Sequence, residues 1–242
     1  MIKRLEKLKN QNIKNQTKSI EISQKILSKN DLKANELREI YKSDNLYTLN
    51  FMSSPGSGKT TLMECFSSFS DFKFAVIEGD LETNRDVERL HKRGIKAYQI
   101  TTGDACHLEA SMIEIAYKKL KEQGSLEGIE FLVIENVGNL VCPASYDLGA
   151  NLNIVLLSTP EGDDKVLKYP TMFLCADIVV VSKVDIMEYF DFDIKRVESD
   201  LKKLNSKAKF FTISSKYSSS IRALVDYIKE CKDKNIASNF RF

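Results

Sequence analysis

Seven short apolar runs, separated by longer stretches, constrain the fold of this 242-residue chain more than any other feature. The runs are uniformly apolar and rich in β-branched residues, which is typical of strands buried on both faces. The stretches between them have helical character, so we expect parallel β-α-β units. The predicted fold is therefore α/β, a mostly parallel sheet flanked by helices. The seven runs are LYTLNFM, FAVIE, KAYQI, FLVIE, NIVLLS, DIVVVS and KFFTIS.

Composition indicates a globular protein of one large domain, or of one domain with an appendage. Hydrophobic residues make up 43% of the chain and charged residues 29%, a balance typical of such proteins. The N-terminal stretch lacks the continuous apolar core of a secretory signal, and no apolar run approaches the roughly 18 residues of a membrane span. The odd set of five scattered cysteines favours a reducing, cytoplasmic location over a disulfide framework.

Residues 1–45 form a basic leading segment. They hold eleven Lys/Arg against six Asp/Glu, which leaves the rest of the chain at a net charge of −3. The body is therefore not a basic nucleic-acid surface, although the segment could contact an acidic partner. Its apolar residues recur at helical spacing, with a break or a helix cap expected at Asn30-Asp31. We predict an amphipathic helical segment over 1–45 and a second domain over 46–242. The apolar positions are Ile22, Ile26, Leu27, Ala34, Leu37 and Tyr41.

The first apolar run leads directly into SSPGSGKTTL, Ser53 to Leu62, and then into a helical pattern. In this setting glycines let the backbone N–H groups curl around phosphate oxygens at a helix N-terminus. Lys59 would reach the β- and γ-phosphates, and Thr60 would hold magnesium. The pattern is that of a P-loop NTPase, with Ser53 in place of the first glycine. The predicted nucleotide-binding residues here are Gly56, Ser57, Gly58, Lys59, Thr60 and Thr61.

Acidic residues follow two of the apolar runs, where groups that act on the γ-phosphate are needed. Asp80 ends the second strand and would contact magnesium or orient water, while its neighbour Glu78 has the weaker claim. Glu135 ends the fourth strand and would act through the metal shell, and the Gly138 N–H would meet the γ-phosphate. The predicted catalytic residues are Lys59, Asp80, Glu135 and Gly138, with Thr60 and Asp80 as magnesium ligands.

The segment VVVSKVD favours guanine as the base. Asp185 can accept hydrogen bonds from both the N1–H and the exocyclic amine of guanine, a pair that adenine does not offer. The methylenes of Lys183 can lie along the base. Ser182 replaces the asparagine of the usual N-K-x-D pattern. In the later segment TISSK, which includes Ser214, backbone N–H groups would meet the guanine O6.

Cys106 and His107 lie between the third run and a helix, and Cys142 lies just after the fourth run. Both loops leave the carboxyl edge of the sheet, so the three side chains can converge near the nucleotide. Thiolate and imidazole suit Zn²⁺ and Ni²⁺. Three ligands imply an open or weak metal site, or one shared between two chains. The alternative is that these are ordinary buried cysteines that bind no metal, because cysteine is often buried. Cys65, Cys175 and Cys231 are predicted to be core or inert, and His91 to contact helix-terminal carbonyls.

Five segments resemble, in order, the HypB family of [NiFe]-hydrogenase maturation GTPases. They are SSPGSGKTTL, EGDLETNRDVERL, TTGDACHLEASM, LVIENVGNLVCPASYDLG and EGDDKVLKYP. The resemblance runs from about Leu46 to the C-terminus. It implies a GTP-dependent dimer of the SIMIBI class that uses Mg²⁺ with GTP and delivers nickel to the hydrogenase large subunit, together with the nickel chaperone HypA. It also implies that Cys106, His107 and Cys142 bind Ni²⁺ or Zn²⁺ near the dimer interface.

Two departures from that family and two alternative functions remain. No cysteine precedes Cys65 and no histidine precedes His91, so we expect no N-terminal nickel store. Lys165 and Lys168 would sense the γ-phosphate or a neighbouring subunit.

The chain could instead serve urease or a cobalamin enzyme, although GDACHL with a separate LVCP differs from the Cys-Pro-His arrangement of the urease accessory GTPase. It could also be a nickel-dependent adaptor that holds GTP without turning it over.

Overall fold

A computed structural model describes residues 24–82 and 84–234. Within these ranges, each of the seven apolar runs forms a strand. The strands are β1 (Tyr47–Ser53), β2 (Phe74–Asp80), β3 (Lys96–Thr101), β4 (Phe131–Glu135), β5 (Leu152–Ser158), β6 (Ile178–Ser182) and β7 (Lys209–Thr212). The helices are α1 (24–43), α2 (Lys59–Phe66), α3 (Arg85–Lys92), α4 (Ala110–Glu122), α5 (Lys165–Lys168), α6 (Pro170–Leu174), α7 (Ile194–Leu204) and α8 (Ser218–Asp233). Short 3-10 segments cover Cys142–Ser145, Thr159–Glu161 and Val184–Tyr189.

The strands form one sheet in the order β3-β2-β4-β1-β5-β6-β7, and every neighbouring pair is parallel. The predicted α/β fold with a parallel sheet is confirmed. β1 lies between β4 and β5, with Leu49 opposite both Val133 and Leu152. The chain leaves β1 toward one half of the sheet and later crosses to the other half. The loop after β1 therefore lies at the switch point, where ligands bind in such sheets.

Helices cover both faces of the sheet, which explains why the strands lack alternation. In β4, Phe131 and Val133 join a core with α2, α3 and α8, whereas Leu132 and Ile134 face α1 and α4. A third core packs β5 and β6 against α6 and α7. Both faces of the central strands are thus removed from water, as parallel sheets require.

The N-terminal segment differs from its prediction, because α1 runs through Asn30-Asp31 without a break. Ala34, Leu37 and Tyr41 are buried against α4 and the sheet, but Ile26 is 44% exposed. The Asn30 side chain caps a different helix: its Oδ1 accepts from the backbone N of Ala110, at the start of α4. Ile22 and the basic residues up to position 23 lie outside the described residues. None of the described helices combines the length and apolar character that crossing a membrane requires.

Candidate functional site

The loop after β1 has the backbone geometry of a phosphate cradle. Gly56 and Gly58 have φ angles of 72° and 101°, in the left-handed region that side chains disfavour. Gly58 immediately precedes α2, so the loop curls onto the N-terminus of that helix. The exposed N–H groups and the helix dipole together favour an anion at this point.

Ser53, which stands where the usual pattern has glycine, organises the interior of this loop. Its Oγ accepts hydrogen bonds from the Lys59 Nζ at 2.8 Å and from the Ser57 Oγ at 2.5 Å. Lys59 is buried, and burial lowers its pKa from the ordinary value. The serine therefore gives the buried lysine a polar partner within the loop.

Lys59 and Thr60 border a cavity of about 360 Å³, and the ends of β2 and β4 form its far wall. Thr60 donates a hydrogen bond to the Glu135 carboxylate at 2.9 Å, and Asp80 lines the same cavity. Burial, opposed by Lys59, raises the pKa of Glu135 to about 7. Burial, then Glu135 and Asp80, raise that of Glu78 to about 8.

These oxygen atoms fit a magnesium ion. One carboxyl oxygen of Glu78 and one of Glu135 are buried without a hydrogen-bond partner, and a buried polar atom is costly when it is unpaired. Mg²⁺ prefers oxygen ligands and binds through one or two carboxylates plus phosphates. The cavity therefore provides an acidic, oxygen-lined wall beside a cationic phosphate loop.

Gly138 lies against the phosphate loop so closely that no side chain fits. A Cβ there would lie 2.9 Å from the N, Cα and Cγ atoms of Pro55. The backbone after β4 therefore packs directly on the loop and lines its cavity. Close packing against Pro55 therefore requires glycine at position 138. The contact of its N–H with a γ-phosphate stays a prediction.

A second cavity of about 310 Å³ adjoins the first, and both are lined by Gly58, Thr61 and Lys183. Asp185 lies in its wall. The Ser214 Oγ donates to one oxygen of Asp185 at 2.6 Å, and the Lys216 Nζ lies 2.9 Å from the other. These contacts lower the pKa of Asp185, so it is ionised at neutral pH. This cavity suits a base, whereas the first suits phosphates.

Two neighbouring residues tie the base cavity to the phosphate loop. The Ser182 Oγ donates to the Ser57 carbonyl at 2.7 Å. Lys183 adopts a φ of 61°, and its Nζ donates to the Gly56 carbonyl at 2.7 Å. Ser182 therefore makes a connection between the base loop and the phosphate loop despite replacing asparagine.

The structure brings Cys106, His107 and Cys142 together, as their loops predicted. Their potential ligand atoms all lie within 4.8 Å of one another. The two Sγ atoms are 2.7 Å apart, and the Cys106 Sγ lies 3.7 Å from the His107 Nδ1. Two sulfurs and one nitrogen are a donor set that suits a borderline or soft metal ion.

The His107 ring is held and shielded by Tyr146. The two rings stack with centroids 3.8 Å apart and an interplanar angle of 20°. Burial lowers the pKa of His107, so the imidazole is neutral at pH 7, the form that binds metals. Its Nε2 is buried, and a carboxylate oxygen of Glu109 lies 3.7 Å from it. The hydrogen bond between the Cys106 and Cys142 thiols and partial burial raise the pKa of Cys142.

The other cysteines and the other histidine lie outside the nucleotide cavities and the Cys/His cluster. Cys175 and Cys231 are buried and Cys65 is partly buried, all unpaired. The His91 ring contacts the Ala97 carbonyl in β3 at 3.1 Å, rather than the end of its own helix. Lys165 pairs with Asp164 at 2.5 Å.

Arg89 and Tyr146 lie at these sites although the sequence pattern did not predict them. Arg89 lines the phosphate cavity and bonds Glu64 at 2.9 Å, but in the sequence it is one of several charges on a helix. Tyr146 belongs to no helical or strand pattern in the sequence that would place it beside His107. In contrast, Lys165 and Lys168 are not among the described residues that line the phosphate cavity.

Comparison with known proteins gives concordant matches. The family described as "CobW/HypB/UreG, nucleotide-binding domain" matches residues 48–212. The hydrogenase/urease maturation factor HypB of Helicobacter hepaticus is 60% identical over 225 residues, covering 93% of each chain. The HypB of Escherichia coli is 41% identical, covering 83% of this chain and 68% of its own length.

Solved structures agree in fold. A crystal structure of HypB from Helicobacter pylori in complex with nickel has a TM-score of 0.87 and 59% identity, covering 88% of this chain and all of that one. HypB from Archaeoglobus fulgidus has a TM-score of 0.76 and 35% identity, covering 85% of this chain and 99% of that one. Identity over nearly the full length, together with a matching nucleotide-binding domain, shows that this chain belongs to the HypB family.

Proposed function

We propose that this chain is a GTP-hydrolysing, metal-binding maturation factor that assists nickel insertion into [NiFe]-hydrogenase. One observation carries the proposal: both loops of the Cys/His cluster connect to the phosphate cavity. The Cys142 loop begins in the cavity wall at Gly138, and the Cys106–His107 loop is hydrogen-bonded to Asp80 in that wall. Relatives at 60% identity are named hydrogenase/urease maturation factors, so we extend the proposal to nickel delivery for urease.

The first part of the proposal concerns the nucleotide. The β- and γ-phosphates would lie on the Gly56–Gly58 backbone against Lys59, and magnesium would lie between Thr60 and Asp80. Glu135 accepts a hydrogen bond from the Thr60 hydroxyl and so orients this magnesium ligand. Asp185, already held by Ser214, would select guanine.

The second part concerns the link between nucleotide and metal. The Thr102 N–H donates to the Asp80 carbonyl at 2.9 Å, and the chain reaches Cys106 four residues later. Gly138 packs on the phosphate loop, and Cys142 follows it by four residues. A γ-phosphate that shifts Asp80 would therefore move the Cys106–His107 loop, and one that shifts Gly138 would move the Cys142 loop. Either movement would give the nucleotide states different metal affinities.

The third part concerns partners. Three ligands do not close a structural zinc site, which takes four, so we infer that a second copy of this chain supplies the remaining ligands in the GTP-bound dimer. Nickel would arrive from HypA and leave for the hydrogenase large subunit. The five unpaired cysteines suit a reducing compartment such as the cytoplasm. The division into a segment over 1–45 and a GTPase domain over 46–242 remains part of this proposal.

Phosphate release under single-turnover conditions tests the enzymatic part. With excess protein and Mg-GTP, we expect release of phosphate within minutes to hours, and loss of that release in Lys59→Met, because the ammonium no longer stabilises charge on the γ-phosphate. A wild-type protein that binds GTP but retains it intact over hours would identify the chain as an adaptor instead.

A further inference from the structure

We propose that Asn30 of α1 is a positioning residue for the metal site, a role that rests on the proposed metal binding by Cys106, His107 and Cys142. Its side chain joins both loops that carry these ligands. This assigns the N-terminal helix a task at a site to which it contributes no ligand.

The Asn30 amide makes one hydrogen bond to the Cys142 loop and one to the first residue of α4, where the Cys106–His107 loop ends. Its Nδ2 donates to the Asp147 carbonyl at 2.8 Å, and its Oδ1 accepts from the Ala110 N–H at 2.9 Å. Ala110 lies three residues after His107, and Asp147 lies five residues after Cys142. Asn30 is only 6% exposed, so water replaces neither bond easily if one is lost.

The rest of α1 holds the same stretch of the Cys142 loop. The Arg38 guanidinium contacts the Asp147 carboxylate at 2.5 Å, and the other Asp147 oxygen accepts from the Gly149 N–H at 2.9 Å. A Cβ on Gly149 would lie 2.7 Å from the Ala34 carbonyl, so the loop lies directly on the helix backbone. The helix therefore fixes the loop end that follows the cysteine.

A displacement at Asp147 would reach the ligands through Tyr146, the residue before it. Tyr146 stacks on the His107 ring at 3.8 Å, so a shift of this loop moves the imidazole's support and the Cys142 sulfur together. Metal–ligand distances lie within about 0.2 Å of standard values, so the positions of the donor atoms matter for binding. Residues that orient ligands consequently affect affinity by about 10- to 100-fold when they are removed.

Two substitutions separate the two hydrogen bonds. Asn30→Ala removes both, whereas Asn30→Asp keeps an acceptor for the Ala110 N–H but has no donor for the Asp147 carbonyl. Leu120→Ala is the control, because Leu120 is buried in the same core but lies ten residues along the chain from Ala110. It removes core packing without touching the two hydrogen bonds of Asn30.

The test combines Ni²⁺ titration against a chelator with hydrogen–deuterium exchange of the metal-free protein. We expect Asn30→Ala to weaken Ni²⁺ binding by about tenfold or more, and to speed exchange in residues 103–110 and 139–147. Asn30→Asp should weaken Ni²⁺ binding while speeding exchange only in 139–147. Leu120→Ala should lower the Tm but leave the Ni²⁺ Kd within about twofold, and GDP affinity should be unchanged in all three.

The outcomes separate this inference from the proposed function. If the wild-type protein binds Ni²⁺ and Asn30→Ala and Asn30→Asp bind it equally well, Asn30 has no positioning role and the metal site stands. Equal weakening by Leu120→Ala would also overturn the inference. If the wild-type protein binds no Ni²⁺, the proposed metal site fails, and unchanged exchange in the Asn30 variants would refute the tether independently. Should Asn30→Ala fail to fold, the nearly isosteric Asn30→Asp decides the result.

Discussion

Two serines at nucleotide-site positions show how a departure from a motif acquires its own contacts. Ser53 receives hydrogen bonds from Lys59 and Ser57, and Ser182 bonds the Ser57 carbonyl. The loop patterns predicted a phosphate site and a guanine site despite both changes. The compensating bonds were not predictable, because each depends on the three-dimensional position of another loop.

Asp185→Asn should reverse the base preference. The carboxylate would accept from two donors of guanine, whereas an amide presents one acceptor and one donor, and losing a charge-assisted hydrogen bond costs about 1.5–3 kcal/mol. We expect GTP affinity to fall by at least about tenfold and XTP affinity to rise, as measured by competition with a fluorescent nucleotide. Asp191→Asn, an exposed neighbour, is the control, and unchanged GTP affinity in Asp185→Asn would contradict this role.

Cys142→Ala should weaken Ni²⁺ and Zn²⁺ binding while sparing the nucleotide. It removes one of only two sulfurs in the cluster, and Cys142 does not line either nucleotide cavity. We expect at least a tenfold loss of metal affinity in a chelator competition, with GDP affinity unchanged. Cys65→Ala is the matched control outside the cluster. Metal titrations identical to the wild type would leave Cys142 with a structural role alone.

At the scale of elements, the strands were predictable and the N-terminal helix was only partly so. Burial on both faces imposes long apolar runs, which the sequence displays directly. Asn30, in contrast, looked like a break because asparagine favours caps and turns. It remains within α1 because its side chain finds partners 80 and 117 residues away. Such a long-range cap leaves no local signal.

Asp44, just after α1, should stabilise the helix against α4 in a pH-dependent way. Hydrogen bonds from Lys121 and Tyr117 lower its pKa below the ordinary 3.8. Its contribution is therefore complete above about pH 4 and is lost as pH falls through the native pKa. We expect Asp44→Asn to lower the free energy of unfolding at pH 7 by about 1 kcal/mol, with the difference shrinking below pH 4.

Urea unfolding at pH 7, 5 and 3.5 measures this dependence. Asp31→Asn provides the matched control, since Asp31 is an exposed carboxylate on the same helix. A destabilisation by Asp44→Asn that stayed constant across these pH values would show that the carboxylate charge contributes nothing. Equal destabilisation by Asp44→Asn and Asp31→Asn would lead to the same conclusion.

For the whole molecule, the order of the strands explains why two chemistries meet. The sheet brings the ends of β2, β3 and β4 to the edge where the phosphate loop leaves β1, so the acidic residues and the Cys/His loops converge there. Parallel topology made this convergence predictable from Cys106, His107 and Cys142. The stacking of Tyr146 on His107 was not predictable, because it depends on how two separate loops pack.

If the nucleotide state controls the metal site, the Ni²⁺ affinity must differ between the GDP-bound and GTP-bound protein. The Ni²⁺ Kd is measured by chelator competition with Mg-GDP and with a non-hydrolysable Mg-GTP analogue at the same protein concentration. We predict tighter binding with the analogue, because the proposed GTP-bound dimer would add ligands from a second copy to the set of three. Equal Ni²⁺ affinities in the two states would contradict it.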